Sequence, residues 1–137
     1  MKLYIRALVV LCLTVFSFSL GILKSKDLVD DCEKFSKTSE LESCYINLYK
    51  KSDQNLNGNY LGILTKLKSK KGYQLIVQSF ISEQRAWLKF RDQKCIFATN
   101  LVQNGRESGI VHYSCLFTVT EERNKEFIEY KQNPAIY

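Results

Sequence analysis

From Asp31 to Gln132 the chain contains no proline; its single proline is Pro134. A stretch of that length without the residue that breaks helices, in which apolar side chains recur at three- and four-residue steps, points to long amphipathic helices. The alternating pattern of half-buried strands is scarce. From Ser39 to Ser69 the residues Leu41, Tyr45, Leu48, Leu56, Tyr60, Ile63, Leu64 and Leu67 form one apolar stripe. Ser39 and Glu42 have the spacing of a capping box. Lys66, Lys68, Lys70 and Lys71 suit a carboxyl end, where positive charge offsets the helix dipole, and Gly72 supplies the stop. Gly58 and Gly62 each weaken the middle by up to about 1 kcal/mol relative to alanine, so a kink or a close helix contact is expected there.

A second helix is expected from about Tyr73 to Gln103, with Val77, Phe80, Gln84, Trp87, Arg91, Cys95, Ala98 and Val102 on one stripe. Asn104, Gly105 and Glu107-Ser108-Gly109 form the next connection. A third helix spans Val111 to Lys131 and aligns Tyr113, Leu116, Thr120, Arg123, Phe127 and Tyr130. Short connections make consecutive helices antiparallel neighbours. The fold class is therefore all-α: an antiparallel three-helix bundle stapled by two disulfides and preceded by a signal peptide.

The signal peptide is read from Lys2 and Arg6, the apolar run Ala7 to Leu20 and the small residues that follow. Residues 1–19 are assigned to it, 20–30 to a lead-in, 31–130 to the helical domain and 131–137 to a C-terminal tail. An uncleaved anchor is the competing reading, since the run approaches the lower limit of about 17 residues for a spanning helix; membrane contact would then come only through the retained signal. Removal of residues 1–19 takes away Cys12 and leaves Cys32, Cys44, Cys95 and Cys115. An even number of cysteines in an exported chain favours disulfides, and a periplasmic or secreted location follows. Antiparallel pairing of helices two and three brings Cys95 level with Cys115, which leaves Cys32 for Cys44. The crossed pairing of Cys32 with Cys95 and Cys44 with Cys115 stays open, because spacing does not set connectivity. The gaps of 12, 51 and 20 residues hold no Cys-x-x-Cys pair and His112 is the sole histidine, so no metal or other cofactor is expected.

The turn at Lys71-Gly72 sets Asp53 near Arg91 and Asn57 near Gln84 or Arg85, and helix three brings Arg123 level with Trp87. These residues, Asp53, Asn57, Gln84, Trp87, Arg91 and Arg123, are expected to form a structural polar layer. In it Asp53 accepts from Arg91 while Arg123 stacks on Trp87 or joins the same network.

The ordered set Asp31-Cys32, Glu42-Ser43-Cys44, Asp53-x-x-Leu56-Asn57-x-x-Tyr60, Gln84-Arg85-Ala86-Trp87-Leu88, Arg91-Asp92, Cys95, Gly105, Cys115, Thr120 and Arg123 resembles the N-terminal domain of the LprI-type lysozyme-inhibitor family. Glu83 stands where that family often carries alanine. The resemblance covers about residues 31 to 130 and implies an exported, helical, disulfide-bonded domain, with lysozyme inhibition attached to one namesake.

Three function classes follow. The first is an envelope protein that binds lysozyme and blocks its cleft. Without Lys2 and Arg6 the chain keeps 18 lysines and arginines against 14 acids, a net charge of +4. Lysozymes of the family context are basic, so such an inhibitor needs a local acidic patch. The candidates are Asp27, Asp30, Asp31, Glu33, Glu40 and Glu42, whose competing reading is a solvated acidic segment. The second class is a non-inhibitory envelope module that binds another protein or an anionic surface, motivated by Lys50, Lys51 and Lys66 to Lys71. An enzyme is the third class and is not expected: no catalytic residue is assigned, His112 reads as a surface residue without a nucleophile, and Glu121 and Glu122 diverge around a helix. The charge is too diffuse for nucleic acid. Tyr45, Tyr49, Tyr60, Tyr113 and Tyr130 are expected to pack inside the bundle or in its grooves.

Overall fold

The computed structural model describes residues 27–103, 105–133 and 135–136. The expected signal segment and Cys12 lie outside them. The chain divides between Lys34 and Phe35 into two compact units. In the described part of the first unit, residues 27–32 are helical, so a stretch of the lead-in has regular structure.

The second unit contains three long helices, α1 (Thr38–Lys68), α2 (Gln74–Leu101) and α3 (Ser108–Gln132), and no strand occurs among the described residues. Every apolar residue of the α1 stripe named above is buried or half-buried, and so is the whole stripe on α2. The capping box does not form. Ser39 lies inside α1, the cap position is Lys37 with no side-chain hydrogen bond, and the Ser43 hydroxyl donates to the Ser39 carbonyl at 2.7 Å. α1 ends at Lys68 with Ser69 as its cap, and Gly72 takes φ +84°, the left-handed conformation, in the turn that leads to α2.

Neither glycine of α1 interrupts it, and a Cβ added at Gly58 would meet open space. The close approach is at Gly109, where a Cβ would overlap the Glu42 carboxylate. α3 therefore begins three residues before the expected Val111, because Ser108 and Gly109 belong to the helix instead of the loop.

α3 packs extensively against α1 and less so against α2, while α1 and α2 touch sparingly. Gly109 lies against Glu42, Ser52 meets Glu121, and Asn59 meets Lys131, so α1 and α3 run in the same direction. α2 runs opposite to both, as Tyr60 against Phe80 and Cys95 bonded to Cys115 require.

Two apolar clusters result. Leu56, Ile63, Leu67, Phe80 and Phe127 form one, with Tyr60, Tyr73, Tyr130 and Ile136 packed around it. The other is small, formed by Cys95, Leu116 and Val119 beside Tyr49 and Tyr113. Trp87 packs against both. In the expected tail the carbonyl of Ala135 accepts from Lys70 Nζ at 3.0 Å and from the Tyr73 hydroxyl at 3.1 Å.

Cys95 and Cys115 are joined across α2 and α3 with Cα atoms 5.5 Å apart. That bond excludes the crossed connectivity. Cys32 and Cys44 are each disulfide-bonded as well.

Candidate functional site

Trp87 is the meeting point of the polar layer. The Arg91 guanidinium lies 5.4 Å from its ring and that of Arg123 lies 5.5 Å away. Arg91 is fixed from two elements: Nη1 donates to Asp53 Oδ1 on α1 at 2.9 Å, and Nε donates to the adjacent Asp92 at 3.0 Å. Its charge also faces the Tyr49 ring at 5.6 Å. Arg123 is 2% exposed. Its Nε donates to Gln84 Oε1 at 3.1 Å, and its terminal nitrogens pair with Glu83 on α2 and Glu126 on α3. The rings of Phe127 and Tyr130 lie 4.5 and 5.9 Å from it.

Burial works against both guanidinium charges, yet the hydrogen bonds that Arg91 donates to Asp92 and Asp53 hold it above its ordinary pKa, and those that Arg123 donates to Glu83 and Glu126 do the same for it. Burial also raises the Tyr49 phenol, with Arg91 pulling in the opposite direction.

Asp53, Gln84, Trp87, Arg91 and Arg123 are thus drawn together by three helices. Asn57 is placed differently: it is exposed on α1 and donates to Asp53 Oδ2 at 3.2 Å, one turn away on its own helix. It steadies the carboxylate that Arg91 uses. Glu83, absent from the expected layer, is the cross-helix partner of Arg123; an exposed acid beside a buried glutamine gave no periodic signal.

A second polar seam joins α1 to α3. The Ser52 hydroxyl donates to Glu121 Oε1 at 2.5 Å, Asn124 Nδ2 donates to the Ser52 carbonyl at 3.1 Å, and Asn59 Nδ2 donates to Asn124 Oδ1 at 3.0 Å. Lys131 Nζ closes the row on Asn59 Oδ1 at 2.6 Å. A groove of about 440 Å³ runs along it, lined by Gln54, Asn55, Gly58 and Ile128 among others. With this seam each pair of helices has its own polar link: Asp53–Arg91, Glu83–Arg123 and the Ser52–Asn124 row.

The acidic candidates fall in both units. In the first, Asp27, Asp30, Asp31 and Glu33 are exposed, and Asp31 pairs with Lys34 at 2.5 Å, which raises that lysine's pKa. In the second, Glu40 is exposed and pairs with Lys37 at 3.1 Å, whereas Glu42 is half-buried against Gly109. Glu42 therefore belongs to the seam between α1 and α3 instead of an outward patch. Glu40 also lines a groove of about 560 Å³ along α1 with Phe35, Ser43, Asn47, Leu48 and Lys51. Phe35 is one of the exposed large apolar residues of the unit.

Of the basic run, Lys70 is tied to Ala135 and sits 5.5 Å over the Tyr73 ring, while Lys68 and Lys71 are exposed. His112 is not a surface residue. It is half-buried in the first turns of α3, with Nδ1 at 3.1 Å from the Thr99 hydroxyl and its ring against Tyr113. Glu121 turns inward to Ser52 and Glu122 outward, so the adjacent acids diverge.

A helical domain held by disulfides, its charged groups either locked inside the helix seams or spread over the outside, defines a scaffold whose outer faces are available for contact. The chain matches the family model of lysozyme inhibitor LprI over residues 30–127, and it belongs to that family. No curated protein and no solved structure matches it.

Proposed function

We propose that the protein is an envelope inhibitor that binds lysozyme and obstructs its substrate cleft, acting by protein contact and not by catalysis. The observation that carries this reading is membership of the LprI family over residues 30–127. The disulfides add support, because they persist in oxidising compartments outside the cytosol and limit the entropy lost on docking. Residues 1–19 serve as the signal peptide in this proposal, and residues 31–130 as an antiparallel three-helix bundle followed by a tail from 131 to 137.

In the second unit the contact is assigned to Glu40 with Phe35 as an apolar anchor, and in the first unit, by itself, to the acidic residues Asp27, Asp30, Asp31 and Glu33. A basic partner is drawn to exposed acids, and a half-exposed aromatic ring beside a groove supplies burial. The buried layer of Asp53, Gln84, Trp87, Arg91 and Arg123 holds helix register and does not meet the partner.

Clearing of a cell-wall suspension by lysozyme, followed as turbidity with increasing protein, tests this. Saturable inhibition that weakens at least tenfold when Asp27, Asp30, Asp31, Glu33 and Glu40 are changed to Asn or Gln is expected. Undiminished lysozyme activity at high micromolar protein overturns the reading in favour of a non-inhibitory envelope module.

A further inference from the structure

We propose that the outward face of α2 is a docking surface for an anionic lipid bilayer, separate from the acidic contact surface assigned to lysozyme. Leu75, Phe97 and Leu101 are 77%, 65% and 67% exposed, and Phe90 is likewise more than half exposed. At about 100° per residue the four fall within a sector of about 80° on the helix. Isolated exposed apolar residues are ordinary, but an aligned set of two leucines and two phenylalanines is not.

One acid, Glu83, projects at the edge of this stripe, where it is paired with the buried Arg123; the other charges that flank the stripe are basic. α2 carries two acids, Glu83 and Asp92, and both are engaged by buried arginines, Arg123 and Arg91. Arg85, Lys89 and Lys94 remain, and none of them has an ion pair among the described residues. On a helical projection Arg85 and Lys89 flank the stripe on one side and Lys94 on the other, with Lys94 Nζ 5.6 Å over the Phe90 ring. Apolar side chains flanked by basic residues are the arrangement by which a helix lies in a bilayer interface, its rings among the acyl chains and its cations at the phosphates.

The two grooves described above are lined by residues outside α2. A second copy of the chain seated on the same face would bring the same cations against one another. No helix among the described residues is long and apolar enough to cross a membrane, so contact here is with the surface.

The test places a reporter on the face itself, because the apolar residues 7–20 of the full chain have their own affinity for bilayers. Full-length protein carrying Phe97→Trp is mixed with vesicles of equal phosphatidylglycerol and phosphatidylcholine, and with vesicles of phosphatidylcholine alone. The emission gained over wild type is followed in the presence of brominated lipid. Expected are a blue shift and quenching with the anionic vesicles only, and at least tenfold weaker partition after Lys89→Glu with Lys94→Glu at unchanged circular dichroism. Absence of quenching, equal quenching by neutral vesicles, indifference to the charge reversal, or a blue shift from self-association without lipid each overturns the proposal.

Discussion

Arg91 and Arg123 stand at nearly equal distances from one tryptophan but in unequal halves of the domain. Arg123 sits among Phe127, Tyr130 and the large aromatic cluster. Arg91 lies one turn from Cys95, where the apolar cluster is small and a disulfide joins α2 to α3. One half is held by buried side-chain area, the other by a covalent bond over a thin core. The lesson is that the same residue type, stacked and paired in the same manner, carries a different share of stability according to what else holds its neighbourhood.

The sharpest break of that contrast is truncation of each arginine. Arg123→Ala removes a fully buried stem, opens a cavity beside Phe127 and leaves the buried Gln84 oxygen without its donor. A loss of about 3–4 kcal/mol is expected. Arg91→Ala is expected to cost about half of that, since its partner Asp53 is partly exposed and can be rehydrated. Arg123→Met should recover most of the loss if packing dominates over charge. Urea unfolding of the four proteins measures this, and equal costs for the two alanine variants would refute the proposed inequality.

Removal of the Cys95–Cys115 bond by paired serine substitution comes next in size. Its loop of 20 residues gives about 3 kcal/mol on the chain-entropy estimate. The loss should concentrate in the half around Cys95, Leu116 and Val119, seen as faster amide exchange there than around Phe80 and Phe127. Uniform acceleration over both halves would show that the small cluster does not depend on the bond.

Much of this architecture was legible beforehand because a helix with one buried stripe declares it by period. The expected stripes on α1 and α2 are buried or half-buried throughout, and Asp53 opposite Arg91 followed from counting outward from Gly72. The counting failed where a helix has two neighbours. α3 is wedged between α1 and α2 and buries Phe117, Val119 and Asn124 beyond its single expected stripe. Ser52, Asn59, Asn124 and Lys131 gave no signal, since polar residues that satisfy one another across a seam have no apolar period. Gly109 read as loop because glycine usually marks one, whereas here the absent Cβ admits the Glu42 side chain. The acidic candidates were legible as composition but not as a surface: local pairing with Lys34 and Lys37 and the inward turn of Glu42 are properties of three dimensions.

The smallest effect, and the finest probe of the Arg91 half, is the titration of Tyr49. Its phenol is held above the ordinary value of about 10 chiefly by burial, against the pull of Arg91, with Asp53, Asp92 and Tyr113 adding to the rise. Above pH 10 the unfolded chain has released this proton while the folded protein keeps it. Protons bound are then more numerous in the fold, so stability falls as pH rises. The contribution is fully present below the unfolded pKa and is lost as pH passes through the folded one. Tyr49→Phe should therefore lose less of its thermal midpoint than wild type as pH rises above about 10. Arg91→Met should raise the phenol further, read as ultraviolet absorbance of the phenolate, because the cation that favours ionisation is gone. Identical midpoint slopes for wild type and Tyr49→Phe would mean that the ring is as well hydrated in the folded state as in the unfolded one. The thin half of the core would then be open to water at Tyr49.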